Sequence, residues 1–599
     1  MNVQAANSVL HNGKVTTLNH KNPEATTIAI QGDRILRVGS EQEIAPLIDS
    51  KTQEIDLKGR RVIPGLIDSH IHAIRGGLTY TMELRWDGID SLFVAMEMLK
   101  NQVQNTPPHQ WVRVVGGFTE QQFHEKRLPT LDEINEVAPE TPVFILHLYD
   151  RALLNRAAIA ACGFSKETPN MPGGIFERNS RGDPTGLLIA HPNATLLYST
   201  LAKSPKLPKE YQINSTLHFM RELNRLGLTG IIDAGGGFQK YPDDYQVIEE
   251  LRRENKLTLR IAYNLFTQRP KQEWEDFSQW TQALKPGQGD DFYKLNGAGE
   301  MLVYSAADFE DFRVDRPDMP AEMEEDLEKV VRVLVENRWP FRLHATYNET
   351  ITRALNVYEK VNRDIPFNQL HWFFDHAETV SRRNIDRIKA LGGGIAIQNR
   401  MAFQGEYFAQ RYGALAAESS PPLVEMLKAG IPVGAGTDAT RVASYNPWLS
   451  LFWLVSGKTV GGFQQLSPRN CLDRHAALKL WTEANTWFSN EEGIRGQIIP
   501  GQLADFAVLS DDYFSIEEES IKNITSVLTI VGGKVVHGSD EFGSLLPPLP
   551  PVMPDWSPVK RWGGYPKAHQ GAPQIAARAN HHHPKSFLDW GMGCQCWNF

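Results

Sequence analysis

Two histidines one residue apart, in His70-Ile71-His72, are the first place along this chain where chemistry could be done. On a strand, residues i and i+2 project from one face, so both imidazoles point the same way. Imidazole suits zinc and other borderline divalent ions. Three further groups stand in comparable positions. His344 lies at the end of the short apolar run PFRLHA, His376 at the end of LHWFFDHA, and Asp438 at the end of IPVGAGTDA. Taken singly, each reads as a buried core or capping residue. Four histidines and an aspartate at the ends of short strands read as a metal site. His371 and Asp375, in the same run as His376, read as groups that orient a ligand.

Lys294, in FYKLNGAGE, is either a metal-bridging ligand in carboxylated form or a lysine paired or packed in the wall. Glu300, six residues on, is either a ligand or a structural carboxylate. Tyr149, Asp150, Arg151, Gln398, Arg400, Arg441 and Asn446 could face a substrate, and Tyr149, Arg400 and Arg441 are the candidate contacts. For each of these alone a structural role is the simpler reading. Gly235-Gly236-Gly237 lacks the Gly-Lys-Ser/Thr of a phosphate-binding loop. No Gly-x-Ser-x-Gly nucleophile elbow occurs.

The elements that must position these groups are legible in the pattern. Short apolar strands fall at 65–72, 227–235, 257–266, 292–299, 340–345, 370–377, 392–399 and 431–439, most of them separated by amphipathic helices such as 322–338. Eight strand–helix units predict a (β/α)8 TIM barrel, whose active site is built at the C-terminal ends of its strands. About 130 residues, roughly 77–205, intervene between the first two strands and predict an inserted subdomain over the barrel mouth. Residues 1–63 and 495–540 both have alternating, strand-like texture, with turns expected at Gly32-Asp33, Lys58-Gly59 and Gly532-Gly533. They predict one small composite β-sandwich built from both ends of the chain. The barrel then occupies 64–494. A proline-rich extension, 541–599, is expected to be extended and carries His581, His582 and His583 and the pair Cys594 and Cys596.

Several motifs together resemble the amidohydrolase superfamily, and within it the amidohydrolase family 3 (YtcJ-like) branch. They are DLKGRRVIPGLIDSHIH (56–72), LNRAAIAACGF with TPNMPGGIFERNSRGDPTGLL (154–188), RLHA (342–345), DHAETV (375–380), AGTDA (435–439) and GQLADFAVLS (501–510). The resemblance runs from about residue 13 to 538. It implies that His70, His72, His344 and His376 are ligands of a divalent metal, zinc by preference, as one or two ions. It implies that Asp438 is both ligand and general base. It implies further that a lysine on the fourth strand, where present, is carboxylated and shared by two metals. Lys294 is on that strand, but it is followed by Leu-Asn-Gly-Ala-Gly-Glu, whereas the familiar lysine is followed by a short stretch ending in Asp-Gly.

A bound divalent ion lowers the pKa of water from 15.7 towards ~7, and a carboxylate beside it can take and return a proton. The expected activity is hydrolysis of a non-peptide, amide-type C–N bond in a small molecule. Ester or lactone hydrolysis at the same centre is the alternative, as is a catalytically silent binding protein, which predicts missing ligands.

Composition limits what else the chain could be. With 62 basic and 71 acidic residues among 599 the net charge is −9, which opposes a nucleic-acid binder relying on a basic surface. No apolar run reaches the ~18 residues of a membrane helix, no secretory leader is recognisable, and 4 cysteines are too few for a disulfide scaffold. The expectation is a cytoplasmic enzyme with a small-molecule substrate and no nucleic-acid or membrane partner. A homodimer is left open.

Overall fold

Eight parallel strands form the central sheet of the computed structural model, which describes residues 5–565 except 172, 192, 237 and 238. In chain order they are β1 (Leu66–Ile71), β2 (Leu228–Asp233), β3 (Arg260–Leu265), β4 (Tyr293–Ala298), β5 (Phe341–Ala345), β6 (Trp372–His376), β7 (Gly394–Gln398) and β8 (Val433–Gly436). Neighbours in sequence are neighbours in space from β1 to β8. The barrel closes where the chain after β8 meets β1, through a parallel bridge between Ile71 and Ala439 and bonds from Asp438 N to His70 O and His72 N to Ala439 O, both 2.8 Å. The strands are buried almost throughout, as expected where helices cover a parallel sheet. The helix Met323–Glu336 shows why the helices form: Met323, Leu327, Val330, Val331, Leu334 and Val335 recur at helical spacing and all are buried, while Glu324, Glu325 and Lys329 face solvent.

The two ends of the chain build two packed sheets. In the larger, Lys14–Thr16 and Arg61–Pro64 from the N-terminal end pair with Phe506–Leu509, followed by Ser526–Val531 and Lys534–Gly538. The smaller comprises Ser8–His11, Thr27–Gln31, Arg34–Gly39 and Gln53–Asp56. Leu10, Ile30 and Val62 meet Phe506, Val508 and Ile530 between them. The turns at Gly32-Asp33 and Gly532-Gly533 close antiparallel hairpins. The one at Lys58-Gly59 instead passes the chain from one sheet to the other.

The insertion after β1 carries its own six-stranded sheet, including Val112–Val115, Val143–His147 and Arg151–Leu154. Separate apolar clusters cover its two faces. The glycine- and proline-rich stretch 170–186 supplies much of the hairpin Ile175–Arg178 and Pro184–Ile189. After residue 545 the extension runs without regular structure to the helix Pro558–Trp562. Asn214 Nδ2 of the barrel helix Lys209–Arg225 donates to Pro551 O at 2.8 Å, and Gln102 Nε2 of the insertion donates to Trp556 O at 2.8 Å. Trp562 packs on the insertion's core and Tyr565 joins the barrel's, so the extension ties one to the other. The three histidines at 581–583 and Cys594 and Cys596 lie outside the described residues. No helix among those described is long and apolar enough to cross a membrane.

Candidate metal centre

The C-terminal ends of the strands bring six side chains that could ligate a metal together: His70, His72, Glu300, His344, His376 and Asp438. The Nε2 atoms of His70 and His72 lie 3.5 and 3.4 Å from Glu300 Oε1, and 3.4 and 3.2 Å from Asp438 Oδ1. The other oxygen of Glu300, Oε2, lies 3.1 Å from His344 Nδ1 and 3.1 Å from His376 Nε2. One carboxylate therefore spans two donor sets. Three groups of potential ligands result, His70–His72–Glu300, Glu300–His344–His376 and His70–His376–Asp438, each with its ligand atoms within 4.8 Å of one another.

These residues fit a divalent ion. Bonds of ~2.0–2.2 Å to a tetrahedral zinc require ligand atoms roughly 3.3–3.6 Å apart, the spacing found around His70 and His72. His70 Nε2 is buried, has no hydrogen-bond partner and faces two carboxylate oxygens. Electrostatics points the same way. Burial pushes the carboxyl of Glu300 up, but the charge of His70 and hydrogen bonds to His344 and His376 outweigh it and hold the group well below the usual carboxylate range. Burial opposes ionisation of Asp438 too, and His70, His72 and Arg400 outweigh it. Burial disfavours a charged His70, yet Glu300 and Asp375 prevail and raise its pKa well above that of free imidazole. The carboxylates thus favour positive charge at this point, whether carried by a proton or by a cation.

The remaining ring nitrogens fix which lone pairs face inward. His70 Nδ1 donates to Asp375 Oδ1 at 2.9 Å, His72 Nδ1 donates to Gly235 O at 2.5 Å, and His344 Nε2 donates to Asp308 Oδ1 at 3.2 Å. Each bond leaves the opposite nitrogen free to ligate. Asp308 is itself held by the backbone N–H groups of Thr346 and Tyr347. Asp375 is gripped by Arg342, whose Nε lies 2.7 Å from Oδ2. His376 is different. Burial, then the charges of Arg400 and His344, lower its pKa to about 3, so its ring is neutral. His376 and Asp438 have φ of 75° and 59°, in the left-handed region that non-glycine residues rarely occupy. Such backbone tends to cluster at functional sites.

Lys294 is not among these residues. It is the second residue of β4 and pairs with Glu491 at 2.9 Å. At about 3.3 Å per residue the end of β4 at Ala298 is roughly 13 Å beyond Lys294, and the chain that follows β4 presents Glu300 at the mouth in its place. Arg400 also departs from the expectation of a substrate contact. It is fully buried, with Nη2 2.8 Å from Asp438 Oδ2 and 3.3 Å from Glu310, and Nη1 3.5 Å from Glu378. Its Nη2 lies 3.1 and 3.3 Å from the two nitrogens of His376 and so sits over that ring. Arg400 steadies Asp438 and His376.

His371 packs on Trp487 with ring centroids 4.3 Å apart and precedes β6, at the end of the strand away from the mouth. Gln398 Oε1 accepts from His376 N, and Asn446 caps the helix Pro447–Ser456. Asp150 is buried beside His147 and Arg313, with Arg151 Nε 3.5 Å away. Tyr149 packs between Tyr198 and Phe309, with centroid distances of 5.6 and 5.3 Å. Arg441 lies 4.6 Å over the ring of Tyr198. Asp308, Glu310, Glu378 and Arg342 had no role assigned from sequence. The available signal was a charged residue inside an apolar strand, as in PFRLHA.

A family model described as amidohydrolase family matches residues 53–537. The putative amidohydrolase YtcJ of Bacillus subtilis is 24% identical over 88% of this chain and 99% of its own length. The N-substituted formamide deformylase of Arthrobacter pascens is likewise 24% identical, over 88% of this chain and 98% of its own. Among solved structures, an uncharacterized metal-dependent hydrolase from Pyrococcus horikoshii superimposes with a TM-score of 0.63 at 18% identity, covering 86% of this chain and 99% of that one. This last likeness is one of fold.

Proposed function

Since this chain belongs to the amidohydrolase family, we propose that it hydrolyses an amide-type C–N bond of a small molecule other than a peptide backbone. The observation that carries the reading is the Glu300 carboxylate spanning two sets of buried histidines, with Asp438 beside the first. His70, His72, Asp438 and Glu300 would hold one divalent ion, and Glu300, His344 and His376 a second. A nitrogen-rich set with carboxylates favours zinc. When bound, such ions polarise a carbonyl oxygen and bring the pKa of water from 15.7 to about 7.

The protein's own groups supply the rest. Asp438 is ionised at neutral pH, so Oδ1, the oxygen turned towards His70 and His72, can accept the proton of an attacking water. Oδ2 is fixed by Arg400, which keeps Oδ1 in place. The proton can then be returned to the leaving nitrogen, which departs poorly as an anion. Asp375, Asp308 and Gly235 O keep the imidazoles from rotating, so little reorganisation accompanies the reaction. The insertion's Tyr149 and Tyr198 form an aromatic wall suited to the body of a small substrate. The name of the formamide deformylase among the relatives is itself that of an amide-cleaving enzyme and supports the C–N reading.

The test is Asp438→Asn against a panel of N-formyl, N-acyl, cyclic amide and ester substrates, with metal quantified in both proteins. The wild type should turn over amides, and the variant should lose about 10²–10⁴-fold in kcat. Undiminished amide turnover by the variant would refute the role of Asp438. Turnover of esters alone would refute the bond type.

A further inference from the structure

The proline-rich extension lies beyond the region that the family model matches, which ends at residue 537. Its course is nevertheless fixed by side chains of the body. Asn214, His218 and Arg221 stand at i, i+4 and i+7 on the helix Lys209–Arg225 and so share one face. From that face they donate to the carbonyls of Pro551, Pro550 and Pro547 at 2.8, 2.9 and 2.8 Å, and Asn214 Oδ1 accepts from Met553 N at 2.8 Å. Proline has no N–H, and an extended proline-rich segment leaves its carbonyls without internal partners. The helix supplies those partners. Further on, Ser557 donates to Thr81 O, Gln102 donates to Trp556 O, and Trp562 packs on the insertion's core. The segment is a strap laid across barrel and insertion.

The strap ends on the loop that follows β8. Tyr565 is buried there; its N donates to the Tyr445 hydroxyl at 3.1 Å, and its own hydroxyl shares a hydrogen bond with the Asn446 side chain. Gly88 of the insertion leaves room for the ring, because a Cβ there would come within 2.6 Å of it. Tyr445 donates to Glu222 at 3.2 Å, and its ring lies 5.0 Å from the guanidinium of Arg85. Arg85 pairs with Glu83 and Asp87 at 3.0 and 3.1 Å, and its Nη2 donates to Thr440 O at 2.8 Å, two residues from Asp438. Pro558 and Trp562 of the strap line the same small recess as Arg85 and Asp87. They keep water from these ion pairs, which are stronger for it. A continuous path of contacts therefore runs from the strap to Asp438. That residue has need of one, since its φ of 59° is a conformation that persists only where the surroundings impose it.

We infer that the strap, residues 547–565, positions the general base: by clasping Tyr445 and Asn446 it holds the loop 438–446, and with it Asp438, in place for proton transfer. This rests on the role given to Asp438 above. Tyr565 and Tyr445 are positioning residues, acting through Arg85 and the loop backbone. A small misplacement of a proton-transferring group slows the chemical step more than it weakens substrate binding. Loss of the strap should therefore lower kcat and leave KM nearly unchanged.

The experiment uses the metal-loaded full chain and reads two quantities: amide hydrogen exchange of peptides covering 438–446, and kcat and KM on the amides that the wild type turns over. Tyr565→Ala cuts the end of the strap. Asn214→Ala with Arg221→Ala frees its proline-rich part, far along the chain from the loop. Each should speed exchange in the loop at least about tenfold and lower kcat by at least about tenfold, with KM within about threefold. Tyr565→Phe keeps the ring and the backbone N–H and should retain most of both properties. Glu491→Gln, which loses an ion pair elsewhere in the barrel, should lose thermal stability and leave loop exchange and kcat unchanged. Wild-type exchange in a folded Tyr565→Ala, or equal loosening of the loop in Glu491→Gln, overturns the inference. If Tyr565→Ala does not fold, the Asn214→Ala/Arg221→Ala protein decides by the same two readings. A loosened loop with undiminished kcat overturns the inference and leaves the hydrolytic reading intact. A loop loosened in both variants of a protein that turns over no amide sinks the hydrolytic reading and supports the strap's hold on Asp438.

Discussion

Replacing Glu300 by Gln and Lys294 by Met should separate the two fourth-strand candidates for a metal ligand. The oxygens of Glu300 lie 3.1–3.5 Å from four imidazole nitrogens, so any ion held by these groups is within about 4 Å of its charge. A unit charge pair at 4 Å is worth about 4 kcal/mol at an effective dielectric constant of 20, which corresponds to roughly a thousandfold in affinity. Lys294 lies roughly 13 Å back along β4 from its mouth end, where the same relation gives about 1 kcal/mol before any screening. Glu300→Gln keeps the size and one oxygen but removes the charge. It should therefore purify with less metal and surrender what remains to a weaker chelator. Lys294→Met should keep full metal content, with affinity within about fivefold of the wild type, and should lose thermal stability because Glu491 forfeits a partner. Metal content by mass spectrometry on protein purified without chelators, followed by competition with a chromophoric chelator, reads both. Full wild-type metal affinity in Glu300→Gln, or metal loss from a folded Lys294→Met, would refute the placement of the centre on Glu300.

Two further outcomes follow from buried charges. Asp375→Asn leaves the guanidinium of Arg342 buried without its carboxylate and His70 with only a neutral acceptor. It should cost about 3–5 kcal/mol in a urea melt and about 10–100-fold in metal affinity, and unchanged values of both would show that this pair does not support His70. Glu491 is buried, and although burial opposes its charge, Arg495 and Lys294 lower its pKa from 4.5 to about 2. Because the folded value is the lower one, its contribution of about 3 kcal/mol is present above pH ~4.5 and fades as pH falls towards 2. Urea midpoints at pH 5 and pH 3 should therefore fall further in the wild type than in Glu491→Gln, and equal falls would contradict the assignment.

The barrel was legible in the sequence because parallel strands buried on both faces must be short, apolar and separated by amphipathic helices, and this pattern is local. The observed β1 to β8 each fall within the expected run. The histidines and Asp438 were legible for a related reason. In a barrel the ends of strands share one mouth, so position within a strand already implies proximity. The same logic could not choose between Lys294 and Glu300. Both belong to one short stretch, and only the start of β4 at Tyr293 shows that Lys294 enters at the far end while Glu300 leaves at the mouth. The roles of the arginines were beyond the sequence as well. Arg342, Arg400 and Arg441 are chemically alike, and what separates them is which carboxylates the fold brings to each. Arg342 and Arg400 receive theirs from other strands and the loops that follow them. Arg441 is set against an aromatic ring from the insertion and has no ion-pair partner among the described residues. The sequence determined what kinds of groups would gather at the mouth, because residue type and strand period are local properties. The tertiary structure decided which charges are neutralised there, because pairing depends on distances between segments far apart in the chain.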